Sequence, residues 1–141
     1  MESKSTDEMK TELMCAPDLS GFLSDNSANF SSCGVPELLS DMLKQKGITK
    51  AALAKGAGMS EVYLYQVLAG RRRPSRNRLL CMCFGLSATI GETQKLLTQS
   101  GYAELYVKKR GDAVIAFALL HGKDLAWTND RLFAEGEETL C

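Results

Sequence analysis

The chain has 141 residues, of which 45% are hydrophobic, and its 17 basic side chains balance 17 acidic ones. This composition supports a compact core and excludes a chain that is disordered throughout. No apolar run approaches the ~20 residues of a membrane span, and the polar start lacks the apolar run of a signal peptide. The sequence therefore predicts a cytoplasmic protein with no membrane partner.

Residues 1–34 form an acidic first segment that is rich in serine, aspartate and asparagine. Met9, Leu13 and Met14 are spaced as on a helix, and Pro17 suits the first turn of a second short helix. We expect one or two short helices here, either packed on the main body or partly mobile.

Three helices are predicted in quick succession after this segment. Pro36 opens the first, and Gly47 ends it. Thr49 is a suitable N-cap for a short alanine-rich helix, whose small side chains let another helix approach closely. Ser60 caps the third helix, which runs to about residue 68 and stops at Gly70.

The rest of the chain also has helical periodicity. Ser75 caps a fourth helix that ends at Gly85, and a fifth covers about Thr89 to Ser100. Two further helices are predicted at about 111–121 and 124–135. Because no stretch alternates convincingly with period two, the sequence predicts an all-α fold.

Charge is segregated along the chain. The net charge is −4 over residues 1–34, +6 over 35–90 and −2 over 91–141. The basic middle contains five arginines within eight positions, and the guanidinium fork matches phosphate oxygens well. This pattern favours an anionic partner for the middle of the chain. These arginines are Arg71, Arg72, Arg73, Arg76 and Arg78.

Few side chains suit catalysis or metal binding. His121 is the only histidine, and Cys81 and Cys83 form one C-x-C pair with no second pair to complete a tetrahedral site. In a reducing compartment the five cysteines should remain thiols, and this pair should fill the core. The sequence predicts no catalytic residue, no metal and no cofactor.

One motif in the middle of the chain is made up of Leu53-Ala54, Gly58 in the turn, Ser60, Leu64, Val67, Gly70 and Pro74-Ser75. With this motif, about residues 35 to 97 resemble the helix-turn-helix domain of the lambda-repressor-like (XRE) family. Further along are the runs Gly101–Tyr106, Arg110–Ile115 and Thr128–Phe133. With these runs, residues 98–135 resemble the C-terminal part of a group of small helix-turn-helix proteins from Gram-positive bacteria.

The resemblance implies a five-helix DNA-binding domain over residues 35–100 and a helical extension over 101–141. It also implies a non-enzymatic transcriptional regulator whose second motif helix enters the major groove of double-stranded DNA. Glu61 has two interpretations there: it accepts from cytosine N4, or it stabilises the helix N-terminus. The candidates for base contact are Ser60, Glu61, Val62, Tyr65 and Gln66.

Lys50 and the five arginines are the candidates for phosphate contact, which gives affinity and register but no sequence choice. Arg76 and Arg78 lie two apart on a predicted helix, so at least one of them should point elsewhere. Tyr63 is expected to pack between helices and His121 to lie at the surface. Trp127 and Phe133 are expected in the core or in a subunit interface.

Two interpretations of function remain. The first is a regulator that binds DNA as a homodimer, with the last two helices either making the dimer contact or packing within one chain. The alternative is a protein-interaction or antitoxin-like adaptor on the same scaffold, because fold does not imply function. In that case the acidic flanks bind a basic partner or fold over the basic face.

Overall fold

The computed structural model describes residues 5–26 and 34–141, and Cys33 lies outside these ranges. Within them the chain forms nine helices and no strand, which confirms the all-α prediction. None of these helices is long and apolar enough to cross a membrane. The helices are α1 (Thr6–Cys15), α2 (Leu19–Asp25), α3 (Val35–Lys46), α4 (Lys50–Gly56), α5 (Glu61–Leu68), α6 (Arg76–Gly85), α7 (Ile90–Gln99), α8 (Arg110–Leu120) and α9 (Leu125–Ala134).

The chain divides into two compact units, and the first of them contains α1 and α2. Ser5 and Glu8 form a capping box at the start of α1, and the Asp18 side chain caps α2 by accepting the Gly21 N–H at 2.8 Å. Pro17 therefore precedes the cap of α2, whereas the sequence placed it in the first turn. Four large apolar side chains of this unit are exposed, namely Leu13, Met14, Leu19 and Leu23.

The second unit, residues 33–141, contains the other seven helices of the described chain around one hydrophobic core. Leu53, Leu64 and Leu79, from α4, α5 and α6, are fully buried in it. Ile115 of α8 and Leu132 of α9 belong to the same core. The C-terminal helices share this core, with α8 packed on α7 and α9 on α6, and do not form a separate body.

Helix ends in this unit follow the local sequence. The side chains of Thr49, Ser60 and Ser75 each accept a backbone N–H from the first turn of the helix that follows. Gly47 and Gly70 have φ of 64° and 76°, in the left-handed region that glycine adopts without strain. The predicted boundaries of α3 to α6 are thus confirmed to within one or two residues.

Helices α4 and α6 touch through glycine. A Cβ on Gly56 would lie 2.9 Å from Gly85 Cα, and a Cβ on Gly85 would lie 2.8 Å from the Leu53 carbonyl oxygen. Neither position has room for a side chain, because these contacts are with backbone atoms. The close approach expected of the alanine-rich helix is therefore made with α6.

Candidate nucleic-acid interface

Helix α5 has one buried face and one exposed face. Leu64 and Val67 are fully buried and fix the helix on the core. On the other side Glu61 is exposed, and Val62 and Tyr65 expose 66% and 47% of their surface. An apolar side chain as exposed as Val62 contributes little to the fold, so this face is available for contact with another molecule.

The remaining base-contact candidates lie at the two ends of this face. Ser60 is exposed, and its hydroxyl accepts the Tyr63 N–H at 3.1 Å as the N-cap of α5. Gln66 is partly exposed, and its backbone carbonyl accepts the N–H groups of Arg71 and Arg72 at 2.9 and 3.3 Å. These bonds fix the basic loop, which is the segment Arg71–Pro74, directly beyond the end of α5.

The first residue of α4 shares a surface with the exposed face of α5. The ammonium group of Lys50 lies over the Tyr65 ring, 5.4 Å from its centroid. Such cation–π contacts are weak at exposed sites, about 0.5–1 kcal/mol, and leave the charge accessible. A positive charge therefore stands beside the face that carries the base-contact candidates.

Two arginines flank Tyr63 at the other edge. The guanidinium carbons of Arg72 and Arg78 lie 5.8 and 5.2 Å from the centroid of the Tyr63 ring, and both residues are exposed. Tyr63 is half-buried against the core, as expected of a residue between helices. Arg71 is also exposed, so the basic loop and the first turn of α6 together present the guanidinium groups of Arg71, Arg72 and Arg78 to solvent.

The other two arginines of the basic run are engaged within the chain. Arg76 Nε donates to the Ala103 carbonyl at 3.0 Å, and its two terminal nitrogens contact the Asp112 carboxylate at 3.2 and 3.0 Å. Arg73 donates to the Ser100 carbonyl at 2.7 Å. Arg76 and Arg78 thus point in different directions, as their spacing on a helix requires.

Asp112 is a residue whose role the sequence analysis missed. Its side chain is 10% exposed, and besides Arg76 it accepts the Tyr106 N–H at 2.9 Å. The carboxylate therefore joins α6, the 101–109 segment and α8. Arg76 and Asp112 are 36 positions apart, so no local pattern connects them.

Three residues singled out in the C-terminal region can be placed. His121 is exposed at the end of α8, as expected, and stacks on Phe117 with the ring centroids 4.1 Å apart. Phe133 exposes 79% of its surface, so its assignment to the core was wrong because it lies on the solvent side of α9. Its subunit-interface alternative stays a prediction. Trp127 is half-buried against the core.

Cys81 and Cys83 are fully buried in α6, which confirms that they fill the core. Burial raises the pKa of each thiol to about 12, so both are protonated near neutral pH. Among the residues that the structure describes, no group of three or more His, Cys, Asp and Glu side chains could hold a metal ion.

Comparison with known proteins identifies one segment. Residues 39–80 match the model of a helix-turn-helix family, which is a DNA-binding regulatory domain and not a catalytic family. The match begins within α3, includes α4 and α5, and ends within α6. No curated protein and no solved structure shows significant similarity to the chain.

Proposed function

Because residues 39–80 form a helix-turn-helix domain of the lambda-repressor-like (XRE) family, we propose that this protein binds double-stranded DNA sequence-specifically. It acts as a transcriptional regulator without enzymatic activity, in the cytoplasm. The observation that carries the proposal is the exposed face of α5, which has cationic side chains at both edges, Lys50 at one and Arg72 at the other. A bacterial source, which the resemblance of residues 98–135 implies, stays a prediction.

Helix α5 reads bases in the major groove of this proposed complex. Gln66 pairs bidentately with adenine, and Val62 contacts a thymine methyl group. Ser60, Glu61 and Tyr65 complete the reading face. Since the opposite face of α5 is held by the core, substitutions on the reading face should change the preferred sequence without unfolding the domain.

The phosphate contacts divide the basic residues into two groups. Lys50, Arg71, Arg72 and Arg78 are exposed and contact the backbone. Arg73 and Arg76, predicted from sequence for the same role, instead hold the 100–112 region onto the domain. Arg76 donates to two carbonyls and to Asp112, and the exposed Arg73 donates through one terminal nitrogen to the Ser100 carbonyl. The proposal thus assigns affinity to the first group and stability to the second.

Selection from a random duplex-DNA library tests this proposal. Wild type should enrich one motif, and Gln66→Ala should lose the preference at one base pair of it. Arg72→Gln should weaken binding to every sequence and reduce the slope of log affinity against log salt by about one unit. Lys95→Gln, which removes an exposed charge of α7 away from the α8–α9 groove, is the matched control and should change neither property.

We further propose that the protein binds DNA as a homodimer through α8 and α9. A groove of about 440 Å³ between these helices has Val114, Phe117 and Trp127 on its walls. Arg110 and the ion pair of Arg131 with Glu135 lie at its edge. Because this edge carries both signs of charge, a two-fold related copy can place each arginine near the other copy's glutamate.

Sedimentation analysis tests the dimer. Phe117→Ser should give a monomer, because Phe117 is half-exposed in the groove and stacks on Trp127 with the centroids 6.0 Å apart. Val107→Ser removes a more exposed apolar side chain that lies outside both helices and the groove, and it should leave the dimer intact. A wild-type protein that is monomeric at concentrations where it binds DNA contradicts this proposal. Half-sites about one helical turn apart, ~34 Å, would support it.

A protein-interaction or antitoxin-like adaptor is the second candidate. The first unit favours it, because Met14 and Leu19 expose 87% and 64% of their surface among acidic side chains, which suits a partner that is both apolar and basic. The library selection separates the two candidates. If no motif is enriched at moderate salt, the adaptor becomes the preferred function.

A further inference from the structure

The segment that follows α9 returns to the helix-turn-helix. Leu140 is buried, and its N–H donates to Asn129 Oδ1 at 2.8 Å. The amide nitrogen of the same Asn129 donates to the sulfur of Cys141 at 3.1 Å. One side chain of α9 therefore holds both residues in place.

This arrangement brings two thiols together that lie 60 positions apart in the sequence. The Cys81 thiol, which is fully buried in α6, donates to the carbonyl of Leu140 at 3.7 Å, and Leu140 is the residue directly before Cys141. The Cys141 thiol is near enough to raise the pKa of Cys81. Cys141 is exposed. A buried thiol thus lies near an exposed one, and Asn129 orients the exposed sulfur.

The pair is next to the motif turn. A Cβ on Gly58, in the turn between α4 and α5, would lie 3.8 Å from the Cys141 sulfur. Gly58 itself has φ of 64° and lies two residues before Ser60, the N-cap of α5. A covalent change at Cys141 therefore occurs beside the turn that connects the two motif helices.

We propose that Cys81 and Cys141 form an oxidation site, at which a peroxide converts the two thiols into an intramolecular disulfide. The Cys141 sulfur attacks the peroxide, the O–O bond breaks, and Cys141 becomes a sulfenic acid while the first water leaves. The Cys81 sulfur then attacks the Cys141 sulfur. The S–O bond breaks, the S–S bond forms, and the departing hydroxyl takes the Cys81 proton as the second water.

The environments of the two thiols set this order. Cys141 is exposed, so a small oxidant can reach its sulfur. The hydrogen bond from Asn129 holds that sulfur in place. Burial, and then the neighbouring Cys141, raise the pKa of Cys81 to about 12, so Cys81 stays protonated and does not react with peroxide first. Its hydrogen bond to Leu140, the neighbour of Cys141 in the sequence, keeps it near the oxidised sulfur for the second step.

The test uses the full chain with Cys15 and Cys33 replaced by serine, which leaves three cysteines. The reduced protein is exposed to hydrogen peroxide, the remaining thiols are alkylated, and tryptic peptides are identified by mass spectrometry. The expected product joins the peptide 79–95 to the peptide 132–141. Because 79–95 contains Cys83 as well, the cross-link must persist in Cys83→Ala and be absent in Cys81→Ala.

Two further variants keep the proposal falsifiable if Cys81→Ala does not fold. Cys141→Ser changes an exposed thiol and should abolish the cross-link without unfolding the chain. Asn129→Ala releases the Cys141 sulfur and should slow cross-linking. The proposal is overturned if Cys141 accumulates as sulfinic or sulfonic acid while Cys81 stays reduced, or if Cys141 links two chains.

Discussion

The partly buried ion pair of Arg76 with Asp112 allows a sharp test of how the C-terminal helices are held. Replacing Arg76 by methionine keeps most of the apolar stem and removes the guanidinium group. Four contacts are lost, two with the Asp112 carboxylate and one each with the carbonyls of Ala103 and Glu104. Only the Tyr106 N–H remains to compensate the carboxylate.

The size of the effect follows from burial. Removing one partner of a fully buried pair costs about 3–5 kcal/mol, because the other charge is left uncompensated. The Arg76 side chain is 27% exposed and that of Asp112 10%, so water screens part of the charge. We therefore expect Arg76→Met to reduce the free energy of unfolding by about 2–4 kcal/mol.

Urea denaturation followed by circular dichroism measures this loss, provided that the slope with denaturant is unchanged. Arg72→Met is the matched control, and its exposed contact with Tyr63 should cost no more than about 0.5 kcal/mol. In a double-mutant cycle, Asp112→Leu added to Arg76→Met should recover part of the loss. A loss from Arg76→Met below about 1 kcal/mol, as for a surface pair, would refute this reasoning.

Three other effects are expected. Gly85→Ala should lower the free energy of unfolding by about 1–3 kcal/mol, because its Cβ meets backbone atoms of α4, whereas Gly91→Ala has space and should be neutral or stabilising by thermal denaturation. Hydrogen bonds from the backbone of the α7 N-cap and from a lysine of α3 lower the pKa of Glu92, so the carboxylate stabilises the fold above the ordinary glutamate pKa of about 4.3. The stability difference between wild type and Glu92→Gln should therefore shrink as the pH falls through the lowered pKa, and a difference independent of pH would contradict this. Alkylation of the native reduced protein should modify Cys141 and spare Cys83, which peptide mapping would detect.

Features that depend on a few neighbouring residues were predictable. Thr49, Ser60 and Ser75 locate helix starts because their side chains accept N–H groups only three positions away. The two faces of α5 follow from the spacing of Leu64 and Val67, which sets the buried side and so the exposed one. The motif resemblance rests on the same local signals.

Features fixed by distant partners were not predictable. The five arginines between positions 71 and 78 are the same residue type, but some point to solvent and others bond within the chain. Only the position of the buried Asp112 carboxylate shows that Arg76 turns inward. Phe133 is apolar at a helical position, yet it faces solvent because α9 presents a different side to the core. The proximity of the two thiols depends on the return of the last residues of the sequence to α6, which no local pattern encodes.

The glycine contact between α4 and α6 bears on how a domain of this build acquires new targets. The backbones of α4 and α6 touch at Gly56 and Gly85. Because neither position carries a side chain, no exchange of side chains there can change the tilt of α4 or of α5, which follows it. The orientation of α5 is therefore independent of which side chains its exposed face carries. Under the proposed function, substitutions on the exposed face of α5 can therefore change which bases are preferred while the orientation of the helix stays the same.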